Sequence, residues 1–388
     1  MIALSVPNIS GNEWQYVKDC LDTGWISSAG AYVQKFEQAI QDYTGAEHAI
    51  ACMNGTVGLQ VSLNLAGVSQ HDIVLAPNLT FVATLNAISY TGADIVLVDV
   101  DADSWQMDID LLEQWLSENT VTKHTAGATV TTEKHSGKKV GAIMPVYVLG
   151  GFPEIDRLQK VSSKFGIPIV EDSTEALGST RNGKHAGTFG LTGVLSFNGN
   201  KIISTGGGGM ILTNDKNIAV RARHITTTAK TDPLDYFHDE VGYNYRLVNV
   251  LAAIGVAQME KFDDILIRKK EIDVRYRDEL TGVGDVLFQD HEAQSNPNCW
   301  LFTFRTKHMR ALLHHLNNAG IQSRPFWTPM NNLPMYADLR YIEANDVSNS
   351  IFQECISVPS SSNLCVEDQG RVIAEIKNFY ANHVSKYC

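Results

Sequence analysis

The chain has 388 residues, 44% of them apolar and 19% charged, which is an ordinary soluble globular composition with room for two domains or one large domain with a lobe. Its net charge of −12 argues against nucleic acid or an anionic membrane as the main partner. A phosphorylated small ligand stays open, because local donors rather than global charge hold such a group.

The N-terminal MIALSVPNISGNEW has no basic stretch followed by an apolar one, so no secretory signal is expected. No run approaches 18 uninterrupted apolar residues, so no membrane span is expected. The six cysteines (Cys20, Cys52, Cys299, Cys355, Cys365 and Cys388) are scattered, form no CxxC pair and have no histidine cluster beside them. Neither a disulfide framework nor a metal site is expected, and the reducing cytoplasm is the expected compartment.

Apolar periodicity predicts helices over 33–43, from Asn54-Gly55-Thr56 to about Ala66, and over 80–90, 108–119 and 154–165. Strands are expected over 73–76, 95–98, 140–146, 167–171, 193–197 and 209–212. Strands alternating with helices imply an α/β domain with a mostly parallel sheet. The stretch 120–139, rich in Thr, Lys, His and Gly, reads as an exposed loop or insertion. After about 240 the pattern changes to a long apolar helix over 248–262, a charged helix over 265–280, a strand over 300–305 and helices over 308–319 and 369–383. The expected division is a large domain, 1–240, and a smaller C-terminal α+β domain, 241–388.

Six segments carry polar chemistry. The first, LSFNGNKIISTGGGGM over 195–210, places Ser196, then Lys201, then four glycines between two strands. A Walker loop has its glycines before the lysine and a helix after it, so that reading fails. Four consecutive glycines are entropically costly, and make sense where a flat ligand or another backbone approaches closely. A hairpin with a solvated lysine is the plain alternative. The second, IPIVEDSTEALG over 167–178, ends an apolar strand in Glu171-Asp172, where α/β folds place ligands. A simple helix cap at Asp172 fits equally well. The third, CMNGT over 52–56, opens a helix whose first N–H groups can make an anion site with the Thr56 hydroxyl beside them, although a plain cap is the commoner reason for such a motif on its own. In the fourth, PNLTFVAT over 77–84, Phe81 reads as core or as a ring stacked on a cofactor. The fifth, EVGYNYR over 240–246, and the sixth, SRPFWTPMN over 323–331, read as loops or as pocket walls.

Together and in this order the segments resemble the DegT/DnrJ/EryC1/StrS sugar aminotransferases, which are fold-type-I pyridoxal-phosphate enzymes. The resemblance runs from DTGWISSAG at 22–30 past Pro329 and is carried chiefly by SFNGNK with its glycines, ED-x-x-E-A-L-G and VGYNYR. Within that family, HITTTAK at 224–230 and FHDEVGYNYR at 237–246 look most like the branch acting on UDP-linked 4-keto-6-deoxy-N-acetylhexosamines, in the pathways to legionaminic acid and bacillosamine.

The resemblance implies roles residue by residue. Lys201 would hold pyridoxal phosphate covalently and then shuttle the proton, and Asp172 would sit against the ring nitrogen. Gly55, Thr56 and Ser196 would hold the phosphate, Phe81 would stack on the ring, and Glu175 would lie near the phenolic oxygen. Asn244 would reach the phosphate of the neighbouring subunit, making a homodimer with shared active sites the working unit. Ser27, Tyr147, Lys230, Arg324, Trp327 and Asn331 are the candidate substrate contacts. Tyr147 and Asn331 stand where histidine is common in the family, which bears on the sugar rather than on the cofactor. The implied reaction is a ping-pong transamination, with glutamate as amino donor and the C4 keto group of a nucleotide-linked sugar as acceptor. A GDP-linked substrate, as in perosamine synthesis, or amination at C3 is the alternative. A sugar dehydratase of the same fold would carry His in place of Lys201, and a non-catalytic sugar-binding regulator would not need Lys201, Asp172 and the phosphate donors together.

Overall fold

Among the described residues (1–125, 127–232 and 234–384) of the computed structural model, eight strands line up as one layer. Their order is His48–Cys52, Gly209–Thr213, Thr192–Ser196, Val170–Asp172, Val140–Ile143, Ile73–Pro77, Asp94–Val98 and Arg340–Ile342. Parallel bridges Ile143–Ile169 and Val146–Asp172 join the two halves of this sheet. All neighbours run parallel except Gly209–Thr213, which is antiparallel to both strands beside it. Strands such as Ile73–Pro77 and Gly209–Thr213 are buried throughout, as expected where helices cover both faces. This is the fold-type-I α/β architecture expected from the sequence.

The glycine run finds its reason here. A Cβ on Gly209 would lie 2.6 Å from the carbonyl carbon and oxygen of Asn54 and 2.9 Å from the amide nitrogen of Gly55. Gly206 has a φ of +81°, a conformation open mainly to glycine. Of the two explanations for the run, the close approach of another backbone is the one observed.

A second sheet, antiparallel, orders Leu287–Phe288, Phe302–Arg305, Cys355–Val358 and Arg324–Pro325. Helices Met309–Asn318 and Val366–Phe379 pack on it around Phe304, Leu316, Ile356 and Ile376. The helix Phe262–Leu280 links the two regions: Phe262 and Ile265 belong to a core with Phe36 and Phe197, while Ile272 and Tyr276 belong to the C-terminal core. The apolar helix Asn249–Glu260 packs on the N-terminal helices Glu13–Thr23 and Ala31–Thr44. We keep the division at 240 as a proposal, with the packing of Asn249–Glu260 as the observation any boundary must respect.

One expectation needs correction. The stretch expected to be a loop at 120–139 contains a hairpin, Thr120–Thr125 against Ala128–Glu133. Its threonines are β-branched and pair across the ladder, Thr122 to Thr131 at 2.8 Å. Composition alone had suggested a loop because few of its residues are apolar. Cys388 lies outside the described residues; the other five cysteines are free. Among the described residues no helix is long and apolar enough to cross a membrane.

His185, in the short hairpin Thr180–Arg181 with Lys184–His185, braces the loop after Asp172. Its Nε2 accepts the Gly178 N–H at 2.8 Å while Nδ1 donates to the Ala186 carbonyl, so the ring is neutral. Burial pushes its pKa down to about 4 from 6.5. The unfolded chain therefore takes up a proton between these values that the folded chain refuses, and stability falls as pH drops through that window by up to about 3 kcal/mol. Urea midpoints measured from pH 7 to pH 4 should fall less steeply for His185→Gln than for the parent; parallel slopes would rule out this histidine as the source.

Candidate active site

The strand alternation separates the two acids at the end of Val170–Asp172. Glu171 points to the far face, where it accepts from the N–H groups of Gly187 (2.8 Å), Phe189 (2.7 Å) and Gly190 (2.5 Å) and from the Tyr147 hydroxyl. It is a buried structural carboxylate. Asp172 points into a cavity of about 250 Å³ at the C-terminal ends of the parallel strands. Its Oδ2 accepts from Thr84 Oγ1 at 2.7 Å, and its Oδ1 from the Thr174 N–H at 3.2 Å. Thr84 is held in turn by Thr80 at 2.7 Å. No helix follows Asp172, so the capping explanation falls away.

Lys201 reaches the same cavity from the loop after Thr192–Ser196. Its Nζ lies 3.8 Å from Glu175 Oε1 and 4.4 Å from the Trp300 ring centre, with the side chain only 11% exposed. Burial lowers the pKa of this amine, against the pull of the Glu175 and Asp172 charges. Burial also raises Glu175 to about 7, opposed chiefly by Lys201, while the Leu149 N–H donates to its Oε2 at 2.8 Å. Burial thus works against the charge on both groups, while each one's charge favours the other's, an arrangement suited to acid–base work.

The helix Gly55–Leu65 starts at the cavity edge. Asn54 caps it by accepting from the Val57 N–H at 3.0 Å, and among the described residues the N–H groups of Gly55 and Thr56 have no partner. Ser196 lines the same corner. A Cβ on Gly55 would sit 3.0 Å from Thr174 Cγ2 and 3.1 Å from Ser196 Cβ, so the corner keeps its room only with glycine. Free helix N–H groups, two hydroxyls, a carboxylate, an amine and an aromatic ring are the donor set that pyridoxal phosphate requires. The residues present fit that group.

Phe81 is 52% exposed at the cavity mouth, edge-on to Trp327 at 6.4 Å, and Trp327 stacks on Trp300 at 6.3 Å. Trp300, Thr80, Thr84 and Thr174 were not singled out from the sequence. The two threonines at 80 and 84 lie inside the segment that was, and a hydroxyl one helical turn from another is a readable sign. Trp300 offers no such sign, because it comes from the far C-terminal region.

Several candidates lie elsewhere. Tyr147 is fully buried against Glu171 and does not line the cavity. Asn331 exchanges hydrogen bonds with Asn78, both at 3.0 Å. Arg324 is exposed and donates to its neighbour's carbonyl at 2.9 Å. Ser27 is exposed; its carbonyl accepts from the Asn249 N–H. Lys230 lies 4.9 Å from the Tyr236 ring on the ribbon formed by Lys230–Asp232 and Phe237–His238. Asn244 is exposed outside this chain's cavity. The described residues hold one cluster with metal-ligand spacing, His224, Asp239 and Glu240, and there Arg221 occupies both Glu240 oxygens.

The tight corner at Gly55 is testable. Overpacking of this kind costs about 1–3 kcal/mol of stability, and any part relieved by moving Ser196 or the helix start weakens the proposed phosphate site. Gly55→Ala should keep its far-ultraviolet circular dichroism and bind pyridoxal phosphate correspondingly more weakly in equilibrium dialysis. Unchanged affinity would place the phosphate elsewhere.

Comparison with known proteins follows the same lines. The DegT/DnrJ/EryC1/StrS aminotransferase family matches residues 7–377. A Bacillus subtilis (strain 168) protein, EpsN, named as a pyridoxal phosphate-dependent aminotransferase, is 33% identical over 100% of this chain and 98% of its own. A GDP-perosamine synthase of Caulobacter vibrioides is 35% identical over 97% of each chain. The crystal structure of a DegT DnrJ EryC1 StrS aminotransferase from Brucella abortus superposes with a TM-score of 0.88 at 27% identity, covering 96% of both chains. The chain thus belongs to the DegT/DnrJ/EryC1/StrS aminotransferase family and is a pyridoxal-phosphate-dependent aminotransferase.

Proposed function

We propose that the protein moves an amino group from glutamate to the C4 keto group of a nucleotide-linked sugar, with UDP-2-acetamido-2,6-dideoxy-4-ketohexose as the acceptor. The observation that carries the transfer chemistry is the near-buried Lys201 amine sharing one cavity with Asp172 and Glu175. Support for a nucleotide sugar comes from relatives named for such substrates. Support for the UDP-linked N-acetyl sugar comes from the 224–230 and 237–246 segments. A GDP-linked 4-keto-6-deoxyhexose is the second reading, favoured by GDP-perosamine synthases 33–35% identical to this chain.

When bound, pyridoxal phosphate supplies an electron sink for the carbon that loses its proton. Asp172, oriented by Thr84 and Thr174, would meet the ring nitrogen and favour its protonated form. Gly55, Thr56 and Ser196 hold the phosphate at the start of their helix. Phe81 covers one ring face. Lys201, its pKa lowered by burial, would carry the proton between the carbon bearing the amino group and the cofactor carbon that exchanges with it. Glu175 stores a proton beside it. Trp327, at the mouth beside Phe81, is placed to meet the sugar.

The exposed Asn244 is proposed to complete the phosphate site of a second copy, which would make the homodimer the working unit, with the cytoplasm as its compartment.

The decisive assay incubates purified protein with glutamate and UDP-, GDP- and dTDP-linked 4-keto and 3-keto sugars, and reads mass. Amination of the UDP-linked 4-keto-N-acetyl sugar is expected to be fastest. A preference for the GDP-linked sugar selects the second reading, and no amination in any arm removes both. Lys201→Ala should lose roughly 10²–10⁴-fold or more in turnover, the range for a positioned proton-transfer group. Full turnover by that variant would end the Lys201 mechanism.

A further inference from the structure

A buried cation lies outside the machinery described so far. Lys269, 4% exposed, sits midway along the helix Phe262–Leu280, between the residues that enter the two cores. Its ammonium donates to two backbone carbonyls, those of Trp300 and Ser360. Asp273, one turn further along the helix, is paired with Arg277 at 2.9 Å and acts on Lys269 only through space. Burying an ammonium that makes no ion pair is costly, so its two carbonyl contacts call for an explanation.

The task is visible in what Trp300 does. The segment from Asn298 to Trp300 is docked onto the loop after Asp172. Asn298 Nδ2 donates to the Glu175 and Leu177 carbonyls at 2.7 and 2.8 Å, its N–H to Ser179 Oγ at 3.0 Å, and its Oδ1 accepts from the Trp300 N–H at 3.1 Å. Between them Cys299 adopts a left-handed conformation, φ +54°, which a non-glycine residue keeps only when its surroundings over-determine it. The Trp300 indole N–H donates to the Asn200 carbonyl at 2.7 Å, next to Lys201, and the ring faces the Lys201 amine at 4.4 Å. The indole therefore walls the amine from solvent and is fastened to its loop.

We propose that Lys269 is a positioning residue for the active site: by gripping the Trp300 carbonyl at the junction of the two cores, it holds the indole against Lys201. Of the donors that fix Asn298–Trp300, Lys269 alone comes from the long linking helix, and its second carbonyl, Ser360, follows the strand Cys355–Val358 of the C-terminal sheet. The position of the indole is thereby tied to the relation between the sheets. This inference rests on Lys201 as the working amine.

The test labels lysines in the cofactor-free protein with limiting acetic anhydride near neutral pH and follows the Lys201 peptide by mass spectrometry. Kinetics of the loaded enzyme run in parallel. Lys269→Met should expose the Lys201 amine to labelling about threefold faster or more, as local opening of a packed wall does. It should lower kcat by about fivefold or more while the glutamate KM stays within about twofold, the pattern of a lost transition-state geometry. Lys269→Arg, which keeps a cation and its donors, should restore both. Trp300→Phe, which removes the N–H bound to Asn200, should also speed labelling. Leu316→Ala, in the C-terminal core, should lower the melting midpoint without changing Lys201 labelling. Should Lys269→Met not fold, Lys269→Gln carries the same comparison with one donor kept. Labelling no faster than in Leu316→Ala, or a Trp300→Phe protein with the parent's labelling rate, overturns the proposal. Neither result touches the Lys201 mechanism, which Lys201→Ala decides separately.

Discussion

The contact on which the site depends is the approach of two backbones with no side chain between them. Gly209 faces Asn54 and Gly55 closely enough that any Cβ would collide with them. That approach seats the start of the helix Gly55–Leu65 against the ends of Thr192–Ser196 and Gly209–Thr213. Its free N–H groups, the Ser196 hydroxyl and the Lys201 loop are brought to one corner as a result. A methyl at 209 would push the helix start away and part the anion cradle from the amine. The entropy lost in ordering four glycines is the cost of that proximity.

A second constraint is the period of two along a strand. Adjacent acids at the end of Val170–Asp172 are sent to opposite faces, and each meets a different chemistry. Glu171 meets three backbone N–H groups and the Tyr147 hydroxyl, which closes it into the core. Asp172 meets two threonine donors and a cavity. Shifting the strand by one residue would exchange these environments, so the register that organises the core is the same one that aims Asp172 into the cavity. The parallel bridge Val146–Asp172 fixes that register at the seam of the sheet.

What the sequence disclosed follows from which interactions are local. The apolar strands, the helix opened by Asn54-Gly55-Thr56 and the lysine before a glycine run are written in contiguous residues, so the α/β layer was legible, as were Lys201 and Asp172 as candidates. The hairpin at 120–133 was not, because alternating threonines on a polar ribbon carry little apolar signal. Arg340–Ile342, which joins the edge of the large sheet beside Asp94–Val98, was missed because its only support is a partner some 240 positions upstream (340 − 96 = 244). Trp300 and Lys269 were missed for the same reason: each acts through backbone groups distant in sequence. Tyr147 was expected to face substrate because it stands where the family often places histidine. The turn that follows Val140–Ile143 instead buries it against Glu171, and a family position does not determine which way a side chain faces.

The placement of the residues at the site and on the nearby ribbon divides along the same line. Phe81, Trp300 and Trp327 belong to this chain's cavity, whereas Lys230 and Asn244 stand exposed on or beside the ribbon Lys230–His238, with Leu234, Tyr236, Phe237 and Val241 exposed among them. A run of exposed apolar side chains next to polar groups is how a surface that meets another protein surface is built. The segments that most resemble the UDP-sugar branch, 224–230 and 237–246, are also the ones that leave their own cavity. If sugar discrimination resides there, it is exercised on the neighbouring copy's cavity. The phosphate contact proposed for Asn244 and the choice of sugar would then both be properties of the pair.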